Sequence, residues 1–173
     1  KSFAKNGELR TKEFEDRQSQ SLFVTIDCAT ETNFEEVVEL TASMLKSIVK
    51  RQGDVAFLSG GESRVFYPAV RTELQLEKVM QHLAGVQPNV VSPMEALLRN
   101  ERQLNNSILI LITGQVTDEL KAFLLTSSKY ARAVICFVVV SKEQYKKQQA
   151  MPLKMVNVKK VYVTKEMISQ AFA

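Results

Sequence analysis

One short run of residues in this chain could do chemistry, Asp27-Cys28-Ala29-Thr30-Glu31. It follows the apolar segment Leu22–Ile26, whose composition predicts a buried strand. Two carboxylates and a hydroxyl at the end of a strand are hard oxygen donors, the kind that small divalent cations such as Mg²⁺ prefer. Asp27 alone could also act as a catalytic carboxylate. The run therefore predicts a metal site, a reacting acid or a recognition loop at this position.

A catalytic role for Asp27 would need helper residues elsewhere in the sequence. An α/β hydrolase or phosphotransferase would add a serine in a Gly-x-Ser-x-Gly elbow, a catalytic histidine or a second acid. The sequence contains no such elbow, and its single histidine, His82, falls beside an apolar helical stripe, where we expect it to be exposed. Cys28 and Cys136 lack the spacing of a metal or redox pair and are expected to be buried free thiols. We expect no enzymatic activity, with an α/β enzyme using Asp27 as the alternative.

The same loop lacks the features of a nucleotide site. No glycine-rich turn follows the first strand, and Glu31, Glu35 and Glu36 crowd the start of the next helix. Carboxylates there favour the helix dipole but repel a phosphate group. A nucleotide cofactor is therefore not expected.

The elements that must position the loop alternate between strand and helix. Gly60-Gly61 predicts a tight turn, which makes the strand after it an antiparallel hairpin partner. Thr32 and Glu35 are spaced as a capping box for the first helix. The pattern predicts an α/β fold with a mostly parallel sheet and helices on both faces. Strands are predicted at 22–27, 55–59, 64–67, 107–113, 133–140 and 158–163, and helices at 33–51, 72–83, from Ser92, from Thr117 and after Thr164.

Length and composition set the domain count and the class of protein. The chain has 173 residues, 45% of them apolar and 24% charged, as in an ordinary globular domain. The longest apolar run, 133–140, is too short to span a bilayer. Residues 1–21 are predicted as a polar lead-in arm or edge segment and 22–173 as the domain. Because the chain begins at Lys1 rather than methionine, we expect it to be a piece of a longer protein.

Four stretches stand in the order and spacing of one protein family. They are the lead-in 1–15, the segment Arg51-Gln52-Gly53-Asp54-Val55, the helix 75–84 and the strand Ile108–Thr113. Together they resemble the bacterial domain-of-unknown-function family 58, whose core is a von Willebrand factor A-like, Rossmann-like domain. The resemblance covers nearly the whole chain. It implies the cytoplasmic domain of a membrane-anchored bacterial protein, with transmembrane helices upstream of this chain and a MoxR-type AAA+ ATPase as partner.

The resemblance also implies how the loop has changed. Von Willebrand factor A domains bind a cation through three loops, with Asp-x-Ser-x-Ser on the first, a threonine on the second and Thr-Asp on the third. Here Ala29 and Glu31 take the two serine positions, Ser92 the threonine position, and Thr113-Gly114 replaces Thr-Asp. The site is therefore expected to be degenerate, with Asp27 as its surviving ligand. No metal cofactor is predicted, and only weak magnesium binding through Asp27 and Glu31 is left open.

Loops at the carboxyl ends of parallel strands are where open α/β sheets bind their partners. We therefore predict a partner-binding rim formed by 27–31, 87–92 and 113–117. The residues expected to contact a protein partner there are Asp27, Thr30, Glu31, Ser92 and Thr113.

The positive charge of the chain is local. Residues 141–160 hold six lysines and one acid, Glu143, which gives +5, whereas the whole chain is +4. Such a stretch predicts contact with an anionic surface such as membrane phospholipid; a solvated loop and a nucleic-acid binder are the alternatives. Only Tyr145 and Tyr162 are nearby aromatics, so base stacking is weakly supported and no nucleic acid is expected as partner. The lysines are Lys142, Lys146, Lys147, Lys154, Lys159 and Lys160.

Overall fold

The computed structural model describes residues 21–61, 63–89, 98, 102–149 and 158–171. Within them one sheet contains the strands β1 (Leu22–Ile26), β2 (Val55–Ser59), β3 (Val65–Val70), β4 (Ile108–Thr113), β5 (Ala133–Val139) and β6 (Val158–Val163). Their order in the sheet is β3-β2-β1-β4-β5-β6. All neighbouring pairs are parallel except β2 and β3, which are antiparallel. The predicted fold class is confirmed.

Helices cover both faces of this sheet. They are α1 (Phe34–Lys50), α2 (Glu73–Gly85), α3 (Asp118–Ser127), α4 (Lys142–Gln149) and α5 (Lys165–Ala171), with a 3-10 turn at Arg102–Leu104. Helices α1, α2 and α5 pack on one face and α3 on the other. Among the described helices, none combines the length and the apolar character that crossing a bilayer requires. The predicted helix from Ser92 lies outside the described residues apart from Leu98, which is helical and buried, and the lead-in 1–20 lies outside them as well.

The central strands read as continuous apolar runs because both of their sides are covered. In β4, Leu109 and Leu111 belong to the core under α3, while Ile110 and Ile112 belong to the core under α1. A strand exposed on one side would alternate apolar and polar residues instead. These two cores hold the ends of β1 and β4 rigidly side by side.

The strand β3 forms one edge of the sheet and contains a proline. Val55 pairs with Val70 and Phe57 with Tyr67, so the register shifts and β3 carries one extra residue within Pro68-Ala69. Proline has no amide hydrogen to give to a ladder, and an irregularity on an edge strand is where it is tolerated. The predicted 64–67 strand therefore continues to Val70.

The helix α1 begins differently from the prediction. The capping box of Thr32 and Glu35 is wrong, because the N-cap residue is Asn33, in a left-handed conformation with φ 52° and no side-chain cap. Long-range contacts decide this geometry. The Thr32 hydroxyl donates to the side chain of Gln115, and the Asn33 amide donates to the carbonyl of Val139 over 2.9 Å.

The end of α1 forms a Schellman-type turn. The amide of Gln52 donates to the carbonyl of Val49 over 3.0 Å and that of Gly53 to the carbonyl of Ile48 over 2.9 Å. The left-handed residue in this turn is Gln52, with φ 60°, and not the glycine that follows it. A residue with a Cβ therefore occupies the position that favours glycine.

Part of the lysine-rich stretch, predicted without regular structure, is the helix α4. The amide of Gln144 donates to the Ser141 hydroxyl over 3.2 Å, and the amide of Ser141 donates to the Gln144 side chain over 3.2 Å. This reciprocal pair is a capping box, and its Ser-x-x-Gln spacing was present in the sequence.

The expectation that His82 is exposed is wrong. Its ring packs against Phe57 with centroids 6.5 Å apart and the planes at 65°. Nε2 is buried and has no hydrogen-bond partner among the described residues. Burial lowers the pKa of His82 below its usual value of 6.5.

Candidate functional site

The strand order reverses between β1 and β4, which lie side by side at the centre of the sheet. The chain leaves β1 through the β1–α1 loop (27–33) toward one face and leaves β4 through the β4–α3 loop (114–117) toward the other. Such a reversal opens a crevice at the carboxyl ends of the strands, the usual binding position in open α/β sheets. Asp27 and Thr113 stand at this crevice.

Asp27 is buried, with 4% of its surface exposed, and both carboxylate oxygens are hydrogen-bonded. The Thr113 hydroxyl donates to Oδ2 over 2.7 Å, and the amide of Ala29 donates to Oδ1 over 2.9 Å. Burial is the largest influence on the pKa of Asp27 and raises it, while the two hydrogen bonds act in the opposite direction. The carboxylate is thus engaged by the protein and held away from bulk water.

The side chain of Gln115 joins the two loops. Its Oε1 accepts a hydrogen bond from the Thr30 hydroxyl over 3.4 Å and from the Thr32 hydroxyl over 3.2 Å. The Thr30 oxygen in turn accepts from the amide of Thr32 over 3.2 Å. One amide oxygen from the β4–α3 loop therefore contacts two hydroxyls of the β1–α1 loop.

Gly114 allows the loops to come this close. A Cβ atom placed on Gly114 would lie 1.7 Å from the carbonyl oxygen of Thr32 and 2.7 Å from its carbon. No residue with a side chain, and so no aspartate, fits at this position unless the β1–α1 loop moves. The space beside residue 114 is occupied by the backbone of that loop.

The segment 87–89 also reaches the β1–α1 loop. The amide of Asn89 donates to the carbonyl of Cys28 over 2.6 Å, and its side-chain amide donates to the carbonyl of Gly61 over 2.8 Å. Asn89 thus links the ends of β1 and β2 at the predicted rim. Ser92, the predicted contact residue of this segment, lies outside the described residues.

The structure brings three of the five predicted rim residues into one hydrogen-bonded set. Asp27 and Thr113 are bonded directly, and Thr30 joins them through Gln115. Glu31 is exposed, and within the described chain its side chain makes no hydrogen bond. Sequence reasoning placed Gln115 inside the rim segment 113–117 without singling it out, since a glutamine in a polar loop carries no local signal.

The oxygen donors here do not form a ready cation site. In the described segments no three residues of the types His, Cys, Asp and Glu are grouped so that they could hold a metal ion. A cation at Asp27 and Thr30 would compete with the bonds that these side chains make to Thr113 and Gln115. Small cations demand about six well-placed oxygens, which this interlocked arrangement does not offer.

The two cysteines are buried free thiols, as predicted. The Cys28 sulfur lies 3.9 Å from the Ser59 hydroxyl, and burial raises the pKa of the thiol. Burial raises the pKa of Cys136 to about 12. Because the thiolate is the reactive form, burial and the raised pKa both disfavour nucleophilic chemistry at these thiols.

The predicted lysines are spread over separate elements. Lys142, Lys146 and Lys147 are exposed on α4, and Lys142 pairs with Glu166 over 3.4 Å. Neighbouring residues of a strand point to opposite faces, so Lys159 and Lys160 on β6 diverge. Lys160 is half-buried, and its pKa is lowered by burial and then by Lys121. Contact with an anionic surface stays a prediction, and Lys154 lies outside the described residues.

Known proteins resemble this chain in structure and, over part of its length, in sequence. No protein-family model matches it. The crystal structure of the SpRpn10 VWA domain superposes with a TM-score of 0.50, covering 87% of this chain and 94% of that domain at 10% identity. The chain has a von Willebrand factor A-like fold. At this level of identity the likeness concerns the fold alone.

The von Willebrand factor A-like chain also resembles a known protein in sequence. Over 123 residues, 69% of the chain, it is 29% identical to the uncharacterized protein YeaD of Bacillus subtilis (strain 168). The chain spans about a third of that protein, 31% of its length. Membership of domain-of-unknown-function family 58 remains a prediction.

Proposed function

We propose that this von Willebrand factor A-like chain is a non-enzymatic protein-interaction domain that binds its partner through the rim at the carboxyl ends of β1 and β4. The observation that carries the proposal is the interlocking of the two loops at this crevice. Asp27, the residue best placed to react, is buried and bonded to Thr113 and Ala29. A carboxylate engaged in this way supports a structural role more readily than proton transfer.

The loss of metal dependence is part of the same proposal. The position of the missing third-loop carboxylate is Gly114, and the carbonyl of Thr32 fills the space that its side chain would need. Of the remaining donors, Asp27 is bonded to Thr113 at the end of β4, and Thr30 is bonded to Gln115 of the β4–α3 loop. This geometry supports a degenerate metal site whose rim is held in shape by the protein itself.

The identity of the partner is proposed from the family resemblance. It points to a MoxR-type AAA+ ATPase, and to a full-length bacterial protein that is membrane-anchored with this domain in the cytoplasm. Exposed side chains at the rim are available for such a contact without any opening of the site. They are Glu31, Thr32 and Gln115.

The experiment is direct binding of the purified domain to a MoxR-type AAA+ ATPase, measured by calorimetry. Glu31→Lys reverses an exposed charge on the rim and should weaken binding about tenfold or more, because reversing a charge removes the complementarity that an interface is built on. Glu77→Lys makes the same change at an exposed position of α2 and should leave affinity unchanged. Equal affinities for both variants would place the contact elsewhere, and no binding by the unaltered domain would reject this partner.

Metal dependence is tested separately with the domain alone. Titration with Mg²⁺ and Mn²⁺ should give no saturable heat, and binding of the ATPase should be the same with a chelator present. Saturable binding that disappears in Asp27→Ala would overturn the proposal of a degenerate site.

A further inference from the structure

We propose that Gln115 is the positioning residue of the rim, a neutral crosslink that holds the β1–α1 loop against the β4–α3 loop where a metal-dependent domain would use a cation. The inference deepens the proposed function, and it rests on that function only for the statement that the rim binds a partner. The crosslink itself is a property of the isolated chain.

The first argument is that the contacts close a ring across the crevice. Asp27 is bonded to Thr113, and the hydroxyl of Thr113 lies 3.1 Å from the amide nitrogen and 3.0 Å from the carbonyl oxygen of Gln115. Gln115 returns to the β1–α1 loop through Thr30 and Thr32. The two sides of the crevice are thus hydrogen-bonded at two separate points. Asp27 is bonded to Thr113, and Thr30 and Thr32 are bonded to Gln115.

The second argument is the polarity of the hydrogen bonds. Because the Thr30 oxygen accepts from the amide of Thr32, its own hydrogen is free to be donated to Gln115. Thr32 donates its hydroxyl hydrogen to the same atom. An oxygen that accepts two hydroxyls fits this place, and a side chain without an acceptor would leave the buried Thr30 hydroxyl without this partner, whereas the exposed Thr32 hydroxyl could turn to water.

The third argument concerns charge. Asp27 is a buried carboxylate in the same ring, and Glu31 stands exposed next to Thr30 and Thr32. A neutral amide oxygen bridges the loops without adding a further negative charge to these two. A cation would balance the charges, but the space for an additional carboxylate ligand at Gly114 is filled by the carbonyl of Thr32.

The test compares two variants of similar size, using amide hydrogen exchange of the domain in the absence of any partner. Gln115→Met removes the acceptor, and Gln115→Glu keeps one. In Gln115→Met the amide of Thr32 should exchange about threefold faster or more, because one ordinary hydrogen bond changes a local opening equilibrium by about this factor. In Gln115→Glu its exchange rate should rise less than in Gln115→Met, because the carboxylate keeps an acceptor but adds a negative charge beside Asp27 and Glu31.

The amide of Leu45, in the buried part of α1, is the internal reference. If a variant lowers the stability of the whole fold, exchange at Leu45 rises too, and the ratio of the Thr32 rate to the Leu45 rate still decides. A Gln115→Met ratio equal to that of the unaltered domain would overturn the crosslink, as would a Gln115→Glu ratio that matches Gln115→Met.

The result is separable from the proposed function, since exchange is measured without the ATPase. If exchange behaves as expected and the ATPase does not bind, the crosslink stands and the partner is rejected. If the ATPase binds the unaltered domain and Gln115→Met equally well, Gln115 has no role in positioning the rim.

Discussion

The hydroxyl of Thr113 lies 2.7 Å from Oδ2 of Asp27, and this bond joins the ends of β1 and β4 inside the protein. Thr113 is fully buried and Asp27 is 4% exposed, so water does not compete for the contact. A carboxylate in such a place is stabilised by its donors and penalised by the loss of solvent. Burial is the larger influence, since the pKa of Asp27 is raised.

We predict that Asp27→Asn makes stability less dependent on pH. The folded protein holds the Asp27 proton more tightly than the unfolded chain, whose value is 3.8. The contribution of this group to stability is therefore complete below 3.8 and is lost as the pH rises through the folded pKa. Urea unfolding at pH values from about 4 to about 7 should show a shallower loss of stability in the variant.

Asp118→Asn is the matched control, the same substitution at an exposed position of α3. Comparison of the two variants separates the effect of removing a buried carboxylate from that of removing an exposed one. If stability depends on pH as steeply in Asp27→Asn as in the unaltered protein, the assignment of this pH dependence to the buried carboxylate is contradicted.

Gly114→Ala should destabilise the domain by about 2 kcal/mol or more, because overpacking at a rigid contact costs about 1–3 kcal/mol and here the new atom meets backbone. The added Cβ would lie 1.7 Å from the carbonyl oxygen of Thr32. Gly85→Ala is the control, since a Cβ there meets nothing within 4 Å. It should be neutral or stabilise by about 0.4–1 kcal/mol. Unfolding midpoints measure both, and equal effects would show that the loops are not in tight contact.

Gln52→Gly should stabilise the domain by about 0.5–1 kcal/mol, since the residue is in a left-handed conformation that costs less for glycine. Gln52 has φ 60° at the end of α1. The same substitution at Gln81, in the regular part of α2, should cost about 1 kcal/mol instead. Thermal unfolding decides, and a loss of stability in both variants would rule out strain at Gln52.

His82→Leu should remove a loss of stability at mildly acidic pH. The pKa of His82 is lowered from 6.5 in the fold, so its contribution is complete above 6.5 and is lost as the pH falls through the folded pKa. This sign is opposite to that of Asp27. The pH profiles with and without His82→Leu are therefore best compared in the Asp27→Asn background, where Asp27 no longer contributes. The expected result is a flatter pH profile between about pH 5 and about pH 7. An unchanged profile would mean that His82 does not titrate differently in the fold.

Most of the fold could be predicted because its signals are local. Runs such as Ile108–Thr113 are apolar throughout, and a strand covered on both faces has this pattern. The antiparallel position of β3 followed from Gly60-Gly61, a turn signal within the same few residues. The bounds of β2 and β6 agree with the predictions to the residue.

The position of the site could be predicted from the sequence, but the contacts between its residues could not. The Thr32 hydroxyl, expected to cap α1, is bonded instead to a residue 83 positions away, and no local pattern records such a contact. The family resemblance implied that Gly114 stands where metal-binding relatives have a carboxylate. It did not show that the carbonyl of Thr32 fills the vacated space. His82 was misplaced for a similar reason, since Phe57 reaches it from another element.

The proline in β3 has a consequence for how the molecule behaves at high concentration. An edge strand that lacks an amide hydrogen at Pro68 and shifts its register there offers an interrupted template to a neighbouring strand. Fibrous aggregates grow when strands of different copies pair along uninterrupted edges of this kind. Replacing Pro68 would restore an amide hydrogen to this edge strand and remove one of the two features that interrupt it, so copies of the domain should pair through it more readily.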